Sequence, residues 1–316
     1  QALAISPNLP AIHYNLGNSL KEQGNLKDAI ISYEKALSIN SNKVDIFFNM
    51  ARVFHNYGSH KNAIIAYHKA ISIDPEITEA YIDLGTIYET QGDLGRAIDA
   101  YHIALMKDPG NNIASYKLAG ILQKRDGFQF VAVNRSFQNT IKSILDKNTI
   151  VRPSNISNAC LNLLKLEPAI KELIYQNSQG QLNNNFEKII LDLSDLPLLL
   201  RFMSICPIAN TELELGFTSL RSLILASVLE KSTNIDILKF QSALALQCFT
   251  NEYVYNQNSD DSKSIKKLET LIKQDFTKGY QPDPNALLCL ASFKSLSEYD
   301  WCELVDVTKN LEEVFI

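Results

Sequence analysis

Polar side chains recur in the first part of the chain at a constant spacing of 34 residues, in two parallel sets. The first set consists of Asn15, Asn49 and Asp83. A carboxamide both donates and accepts hydrogen bonds, as a peptide unit does, so a row of asparagines can pair with the backbone of an extended peptide. If these stretches are helical, the positions three residues later share the same face, and they hold Asn18, Arg52 and Thr86. These residues form a candidate peptide-binding site, and the alternative that they are solvated without a ligand stays open.

Catalytic and metal-binding patterns are missing from the sequence. None of the five histidines has the His-Glu-x-x-His spacing of a zinc site. The five cysteines are widely spaced and include no Cys-x-x-Cys pair, so they are predicted to be reduced and mostly buried. The glycines form no G-x-G turn of the kind that holds a nucleotide. No catalytic residue, metal site or cofactor is therefore predicted, and His68 and His102, which occupy equivalent positions, are expected on the surface.

The elements that would position the candidate site repeat at the same spacing of 34. Each unit contains a small residue beside a large apolar one, as at Leu16-Gly17, and later a glycine: Gly24, Gly58 or Gly92. A glycine ends a helix at little cost because it accepts left-handed backbone. A small residue lets two antiparallel helices approach closely. Each unit is therefore predicted to be a helical hairpin, and hairpins of this size must stack to bury their apolar faces.

These residues resemble the tetratricopeptide repeat, because the whole pattern recurs three times in register. The resemblance implies an all-α solenoid of helix-turn-helix units, with three full repeats and partial ones at both ends, whose first helices line a concave groove. Ala2, Leu3 and Pro7 fit the end of a unit, and residues 116–120 fit a fourth first helix. We therefore expect the chain to begin inside a repeat of a longer protein.

Two known types of groove lead to an expectation about the ligand. The asparagine row is similar to the ladder in the repeats of O-linked N-acetylglucosamine transferases, which implies sequence-tolerant binding of an extended peptide and leaves a glycosyltransferase parent as a further option. The two-carboxylate clamp for acidic chaperone tails needs lysine and arginine where this chain has Tyr14, Glu79 and Asp83. Carboxylates would repel an acidic tail. A neutral or basic extended segment is the predicted ligand.

From residue 141 onward the 34-residue period is lost, while helical apolar spacing continues. The sequence thus predicts a tetratricopeptide solenoid at 1–140 and an irregular all-helical domain at 141–316. Residues 247–255 read Gln-Cys-Phe-Thr-Asn-Glu-Tyr-Val-Tyr. This string resembles one in bacterial proteins in which such repeats and a helical region precede an S-adenosylmethionine-dependent methyltransferase domain. The resemblance implies a helix centred on a tryptophan further along that region, which Trp301 matches.

Side chains within this string have predicted places. Helical spacing puts Leu246, Phe249 and Tyr253 in the core. The polar pair Asn251 and Glu252 has two interpretations: hydrogen bonds that fix the packing of neighbouring helices, which we prefer, or a surface that faces a catalytic domain.

Composition narrows the function. The 316 residues carry a formal net charge of −5, which disfavours a dedicated nucleic-acid binder. There is no apolar run of about 18 residues, so no membrane span is predicted, and reduced cysteines favour a cytoplasmic location. The predicted function is a protein- or peptide-binding scaffold that is not catalytic in itself. The alternative is the substrate-recruiting front part of a methyltransferase whose catalytic domain follows Ile316.

Overall fold

The computed structural model describes residues 9–124, 130–147, 149–230, 237–251 and 259–305, and all regular elements in these ranges are helices. The all-α prediction is therefore confirmed. The chain divides into two compact units, Gln1–Phe128 and Gln129–Ile316. This division separates compact parts of the chain and does not mark where the 34-residue repeat ends. The boundary between residues 140 and 141 therefore stays a prediction.

The first unit is a series of helical hairpins followed by one further helix. Within each hairpin the two helices pack against each other, each second helix contacts the next first helix, and successive first helices of the three hairpins also contact one another. In chain order the helices are α1 (Pro10–Glu22), α2 (Leu26–Ile39), α3 (Val44–Asn56), α4 (His60–Ile73), α5 (Thr78–Thr90), α6 (Leu94–Lys107) and α7 (Asn112–Leu122).

The turn inside each hairpin is made by a glycine, as predicted. Gly24, Gly58 and Gly92 have φ values of 78°, 82° and 77°, which side chains with a Cβ rarely adopt. In the first hairpin the N–H of Asn25 donates to the carbonyl of Leu20 (2.9 Å) and that of Gly24 to Lys21 (3.1 Å), and the same two bonds recur in the other hairpins. This pairing satisfies carbonyls that the end of a helix leaves without partners.

The helices of a hairpin meet where a first-helix glycine faces a second-helix tyrosine. A Cβ at Gly17 would lie 2.6 Å from the ring of Tyr33, and one at Gly85 would lie 2.6 Å from the ring of Tyr101. Both tyrosines are fully buried. The expectation that small residues mark the close approach of the two helices is confirmed, and the second hairpin uses Ala51 at this position.

The two ends of the repeat series differ in what the structure describes. Helix α7 is the predicted fourth first helix, and its apolar side, including Ala114, Leu118 and Leu122, is buried. The partial unit predicted from Ala2, Leu3 and Pro7 lies outside the described residues.

The second unit contains helices without a common period. The helices are α8 (Arg135–Asp146), α9 (Ser157–Leu164), α10 (Pro168–Ser178), α11 (Phe186–Ser194), α12 (Pro197–Ile205), α13 (Thr211–Glu230), α14 (Leu238–Thr250), α15 (Ser259–Thr277) and α16 (Pro284–Ala291), with short 3-10 helices at Pro153–Ile156, Leu182–Asn184, Leu296–Glu298 and Cys302–Leu304. Helix α12 lies centrally and contacts α8, α9, α11 and α14, while α13 contacts α10, α15 and α16.

The distinctive string of the second unit begins with a packing residue. Gln247 is fully buried in α14. Its amide nitrogen donates to the carbonyls of Met203 (3.1 Å) and Cys206 (3.0 Å), and its amide oxygen accepts from the N–H of Ile208 (2.8 Å). Hydrogen-bond matching fixes this orientation. Gln247 therefore satisfies backbone groups at the end of α12, a structural role.

Other expectations about the string are wrong or fall outside the described residues. Phe249 is 62% exposed and Leu246 is 38% exposed, so neither is a core residue. Helical spacing indicates which residues share a face, but it does not show whether another helix covers that face. Glu252 and Tyr253 lie outside the described residues. Trp301 is buried against Tyr299, with ring centroids 4.7 Å apart, and precedes a 3-10 helix instead of lying within an α-helix.

Candidate peptide-binding surface

The predicted site residues all lie on first helices, and they lie on one side that we call the groove face. Asn15 and Asn18 are on α1, Asn49 and Arg52 on α3, and Asp83 and Thr86 on α5. Stacking of the hairpins brings the three helices together, so the two sets form two rows. Asn15 and Arg52 are exposed, while the other four side chains are partly buried.

Buried tyrosines hold the second row in the first and third hairpins. The hydroxyl of Tyr33 donates to Oδ1 of Asn18 (2.7 Å). In the third hairpin the hydroxyl of Tyr101 lies 3.2 Å from Oγ1 of Thr86 and donates to Oε2 of Glu89 (3.2 Å). Each tyrosine thus fixes a side chain of its own hairpin on the groove face.

The second hairpin departs from this pattern because of Arg52. A guanidinium has no acceptor, so Tyr67, the tyrosine that corresponds to Tyr33, has no partner at this position. Its hydroxyl instead donates to Oδ2 of Asp83 in the next hairpin (2.8 Å), and Nε of Arg52 lies 3.7 Å from the same oxygen. Asp83, which breaks the asparagine row, therefore links two hairpins.

Burial sets the protonation behaviour of this link. The pKa of Asp83 lies above the usual aspartate range, chiefly because burial penalises the charged form. The hydrogen bond from Tyr67 and the charges of Arg52 and His55 act in the opposite direction, and the carboxylate of Glu79 raises the pKa further. Burial and the adjacent carboxylate of Asp83 also raise the pKa of Tyr67.

Asp83→Asn is expected to change how folding stability depends on pH. Because the folded-state pKa of Asp83 is raised, the unfolded chain loses this proton first as the pH rises. Ionisation therefore lowers wild-type stability between the unfolded-state pKa, about 4, and the raised folded-state pKa, and the loss persists at neutral pH. The variant carries no such charge, and its amide oxygen can still accept from Tyr67. Urea unfolding of both proteins from about pH 3 to pH 7 should show the variant gaining on the wild type.

Glu34→Gln serves as the control for this experiment, since Glu34 is an exposed carboxylate on α2. It should show no comparable trend. A wild-type protein that becomes more stable than Asp83→Asn as the pH rises would contradict the proposed cost of ionising Asp83.

A second contact between hairpins engages both donors and one acceptor position of the Asn49 carboxamide. Nζ of Lys21 donates to its oxygen (2.9 Å), and its nitrogen donates to the hydroxyl of Tyr14 (3.0 Å) and to the backbone carbonyl of Asp45 (3.0 Å). Asn49 therefore links α1 to α3, and a ligand that accepts from its nitrogen would have to replace one of these bonds.

A third link joins α5 to α7 through charges. Nζ of Lys117 lies 3.4 Å from Oε2 of Glu89, and Nζ of Lys124 lies 3.9 Å from Oε1 of the same carboxylate. Lys117 occupies the position that follows Asn49 and Asp83 in the row. Residues of this row thus connect each first helix to the one before it.

Comparison with family models agrees with the geometry. Models of the tetratricopeptide repeat match residues 10–43, 44–77 and 82–126. The first unit is built of tetratricopeptide repeats. These matches concern the repeats, so the resemblance of the second half to methyltransferase-associated proteins stays a prediction. A search of the curated proteins gives no match.

Three of the solved structures that match this chain are the following. The crystal structure of MamA is 23% identical, covers 46% of this chain and 82% of its own, and has a TM-score of 0.40. The second repeat domain of human RPAP3 in complex with an HSP70 peptide is 22% identical over 35% of this chain and 97% of its own, with a TM-score of 0.34. A tetratricopeptide repeat protein from Parabacteroides merdae is 13% identical over 90% and 99%, with a TM-score of 0.38. Similarities at this level do not identify a partner or an activity.

Two residues that shape the groove face were not predicted from the sequence. They are Lys21 and Lys117, which contact the neighbouring repeats through Asn49 and Glu89. The 34-residue period contained the signal, since Lys117 follows Asp83 by one period and Glu89 follows Lys21 by two. Extending the asparagine row by one repeat would have shown that its chemistry changes from amide to acid to base.

The histidines and cysteines of the described residues gather no catalytic cluster. His102 is buried, contrary to the expectation of a surface position, and burial lowers its pKa, whereas the equivalent His68 is exposed. Equivalent repeat positions share a backbone location but not the same neighbours. Four cysteines are buried, Cys302 is partly exposed, and all five are unpaired thiols.

Within the part of the chain that the structure describes, no group of three or more His, Cys, Asp and Glu side chains is arranged to hold a metal ion. Among the described helices, none combines the length and apolarity needed to cross a membrane.

Proposed function

We propose that the first unit binds an extended segment of a partner protein along the groove face. The observation that carries this proposal is a division of roles on that face. One set of side chains holds the repeats together through hydrogen bonds and ion pairs, while the residues at positions 11, 45, 79 and 113 are exposed in every repeat. Side chains that are exposed at regular intervals on stacked helices suit an extended ligand. Because the helices hold these side chains in fixed positions, less conformational entropy is lost on binding.

Free hydrogen-bonding groups on the groove face could pair with a peptide backbone. Asn15 is exposed, and its carboxamide has no hydrogen-bonding partner within the described ranges. Asn18 accepts from Tyr33 through its oxygen, which leaves its amide nitrogen to donate. Arg52 keeps 55% of its side chain exposed beside Asp83. These groups support binding that depends on the peptide backbone more than on its sequence.

Charge supports a neutral or basic ligand. Asp45 and Glu79 are exposed at equivalent positions of α3 and α5, and their carboxylates have no hydrogen bond or ion pair among the described residues. By contrast, the cations Arg52, Lys117 and Lys124 each lie beside a carboxylate, while Lys21 donates to the neutral amide of Asn49. An acidic segment would meet uncompensated like charge, which is unfavourable for association.

Asn15→Ala is expected to weaken peptide binding about fivefold, because one net hydrogen bond is worth roughly 1 kcal/mol. The measurement is titration of binders selected from an unbiased peptide library. Asn49→Ala should also weaken binding, and because it removes the contact between α1 and α3 it should lower stability as well. Asn62→Ala, at an exposed asparagine of the second helix α4, is the matched control and should bind as wild type. Unchanged binding by Asn15→Ala and Asn49→Ala together would exclude a role for the asparagine row.

The alternative, recruitment of a substrate for a methyltransferase, is a narrower form of the same binding function. Its support came from the string at residues 247–255, and Gln247 in that string has a packing role. The described part of the second unit adds no observation in favour of this alternative, so binding alone is the function that we propose.

A further inference from the structure

Helix α7 leaves an apolar strip exposed at the end of the groove face. Ile113 is 64% exposed and Tyr116 is 66% exposed, and residues three apart lie on the same side of a helix. One turn further along, Gly120 faces open space, since a Cβ added there would meet no atom within 4 Å. The strip therefore combines two large apolar side chains with room beside them.

The incomplete fourth repeat explains why Tyr116 is uncovered. At the equivalent positions, Tyr14 and Phe48 pack against the tyrosine of their own second helix, with ring centroids 6.1 Å and 5.8 Å apart. In the fourth repeat the position of that tyrosine is occupied by Arg135, which belongs to the second unit. The fourth repeat therefore has no tyrosine at the position that packs against Tyr14 and Phe48 in the first two repeats.

The exposed row on the groove face changes its chemistry toward this strip. Its members are, in order, Ala11, Asp45, Glu79 and Ile113. The two acids have no ion-pair partner in the described ranges, and the last member is apolar. On α7 itself the cation Lys117 is held by Glu89. From Asp45 onward along the row, a ligand thus meets uncompensated negative charge and then an exposed apolar surface.

We propose that the ligand is an extended segment of another protein that carries basic side chains next to a bulky apolar one. The basic side chains contact Glu79 and Asp45, and the apolar one packs on Ile113 and Tyr116 beside Gly120. This inference rests on the proposed function and defines its ligand class. Two complementarities support it: free carboxylates attract lysine or arginine, and a bulky side chain on the strip removes apolar surface from water.

The test uses the full chain and labelled ten-residue glycine-serine peptides. The lysine-leucine peptide carries two lysines and a leucine, and it is made in two versions with the leucine after or before the lysines. In one counterpart glutamates replace the lysines, and in another serine replaces the leucine. Fluorescence anisotropy should show the lysine-leucine peptide binding about tenfold more tightly than the serine counterpart and more tightly than the glutamate one. Its binding should weaken about tenfold in Ile113→Ser/Tyr116→Ser, and about threefold in Glu79→Gln, the latter loss shrinking at high salt.

Matched controls come from exposed residues on second helices. Ile65 is 60% exposed on α4 and Glu34 is exposed on α2, so Ile65→Ser and Glu34→Gln should bind the lysine-leucine peptide as wild type does. All these positions are exposed, so circular dichroism should show unchanged folding of every variant.

The outcomes separate this inference from the function beneath it. One outcome would overturn the ligand class and leave groove binding intact. In that case library binders are weakened by Asn15→Ala, but Ile113→Ser/Tyr116→Ser and the lysine and leucine content of the peptide have no effect. A self-association by sedimentation that Tyr116→Ser abolishes would assign the strip to a second copy of the chain and overturn the inference. Binders that ignore every groove-face variant would overturn the proposed function itself.

Discussion

Gly85→Val is expected to destabilise the first unit by roughly 3 kcal/mol, at the upper end of the usual cost of overpacking a core. A Cβ at this position would lie 2.6 Å from the ring of Tyr101, which is fully buried. The ring would have to move, and it would then lose its contacts with Thr86 and Glu89 on the groove face. Urea unfolding followed by circular dichroism measures the loss, and hydrogen exchange should show reduced protection in α5 and α6.

Gly120→Ala is the matched control, because it also places a Cβ on a first helix. There the Cβ would meet nothing within 4 Å, so the higher helix propensity of alanine should stabilise the protein by up to about 1 kcal/mol. Opposite signs for two glycine substitutions on equivalent helices would separate steric from propensity effects. A Gly85→Val protein as stable as wild type would show that the Tyr101 ring has room to move, contrary to the packing described.

The repeat period explains why so much of the first unit was predictable. A spacing of 34 residues shows which residues of different repeats are equivalent. The structural role of each set of equivalent residues can then be inferred from its residue types. Gly24 and its counterparts need left-handed backbone, and Gly17 needs the absence of a Cβ next to Tyr33. Both conclusions depend on local geometry that every repeat shares, so three copies of the pattern reinforced one another.

Hydrogen-bond partners on the groove face were less predictable because they depend on differences between repeats. The hydroxyl of Tyr67 turns to Asp83 because Arg52 offers no acceptor. That step needs a pair of changes, arginine in one repeat and aspartate in the next, to be considered together. The asparagine row was therefore located correctly on the first helices, but the engagement of Asn49 with Lys21 and Tyr14 was not foreseen.

In the second unit, apolar spacing identified helices but did not assign their faces. Phe249 has the spacing of a core residue and is exposed, whereas Gln247 is polar and fully buried. Burial of Gln247 depends on backbone groups of Met203, Cys206 and Ile208, which are remote in sequence. Without a repeat, no second copy of the pattern shows which side of a helix is covered.

Arg135→Met is expected to destabilise the second unit by roughly 2 kcal/mol, the cost of removing a charged hydrogen-bond partner. The pair is buried only on the Glu167 side, since the Arg135 side chain is 51% exposed. Nη2 of Arg135 lies 2.9 Å from Oε2 of Glu167, a fully buried carboxylate, and Nη1 donates to the carbonyl of Asp195 (3.0 Å). Once the guanidinium is removed, Nε2 of Gln138 still donates to Oε1 of that carboxylate (2.7 Å). A buried charge that loses its counter-charge is more costly than an exposed one, because water cannot replace the partner.

The single tryptophan makes this loss measurable, since Trp301 is buried in the second unit. Its fluorescence in a urea titration should show an earlier midpoint for Arg135→Met. Lys142→Met is the matched control on the same helix, because the Lys142–Asp146 pair is partly exposed on both sides and such pairs contribute less than about 1 kcal/mol. The double variant Arg135→Met/Glu167→Gln should recover much of the stability, because it removes the buried charge together with its partner while the amide oxygen can still accept from Gln138. A double variant no more stable than Arg135→Met would place the cost in lost packing and not in the isolated carboxylate.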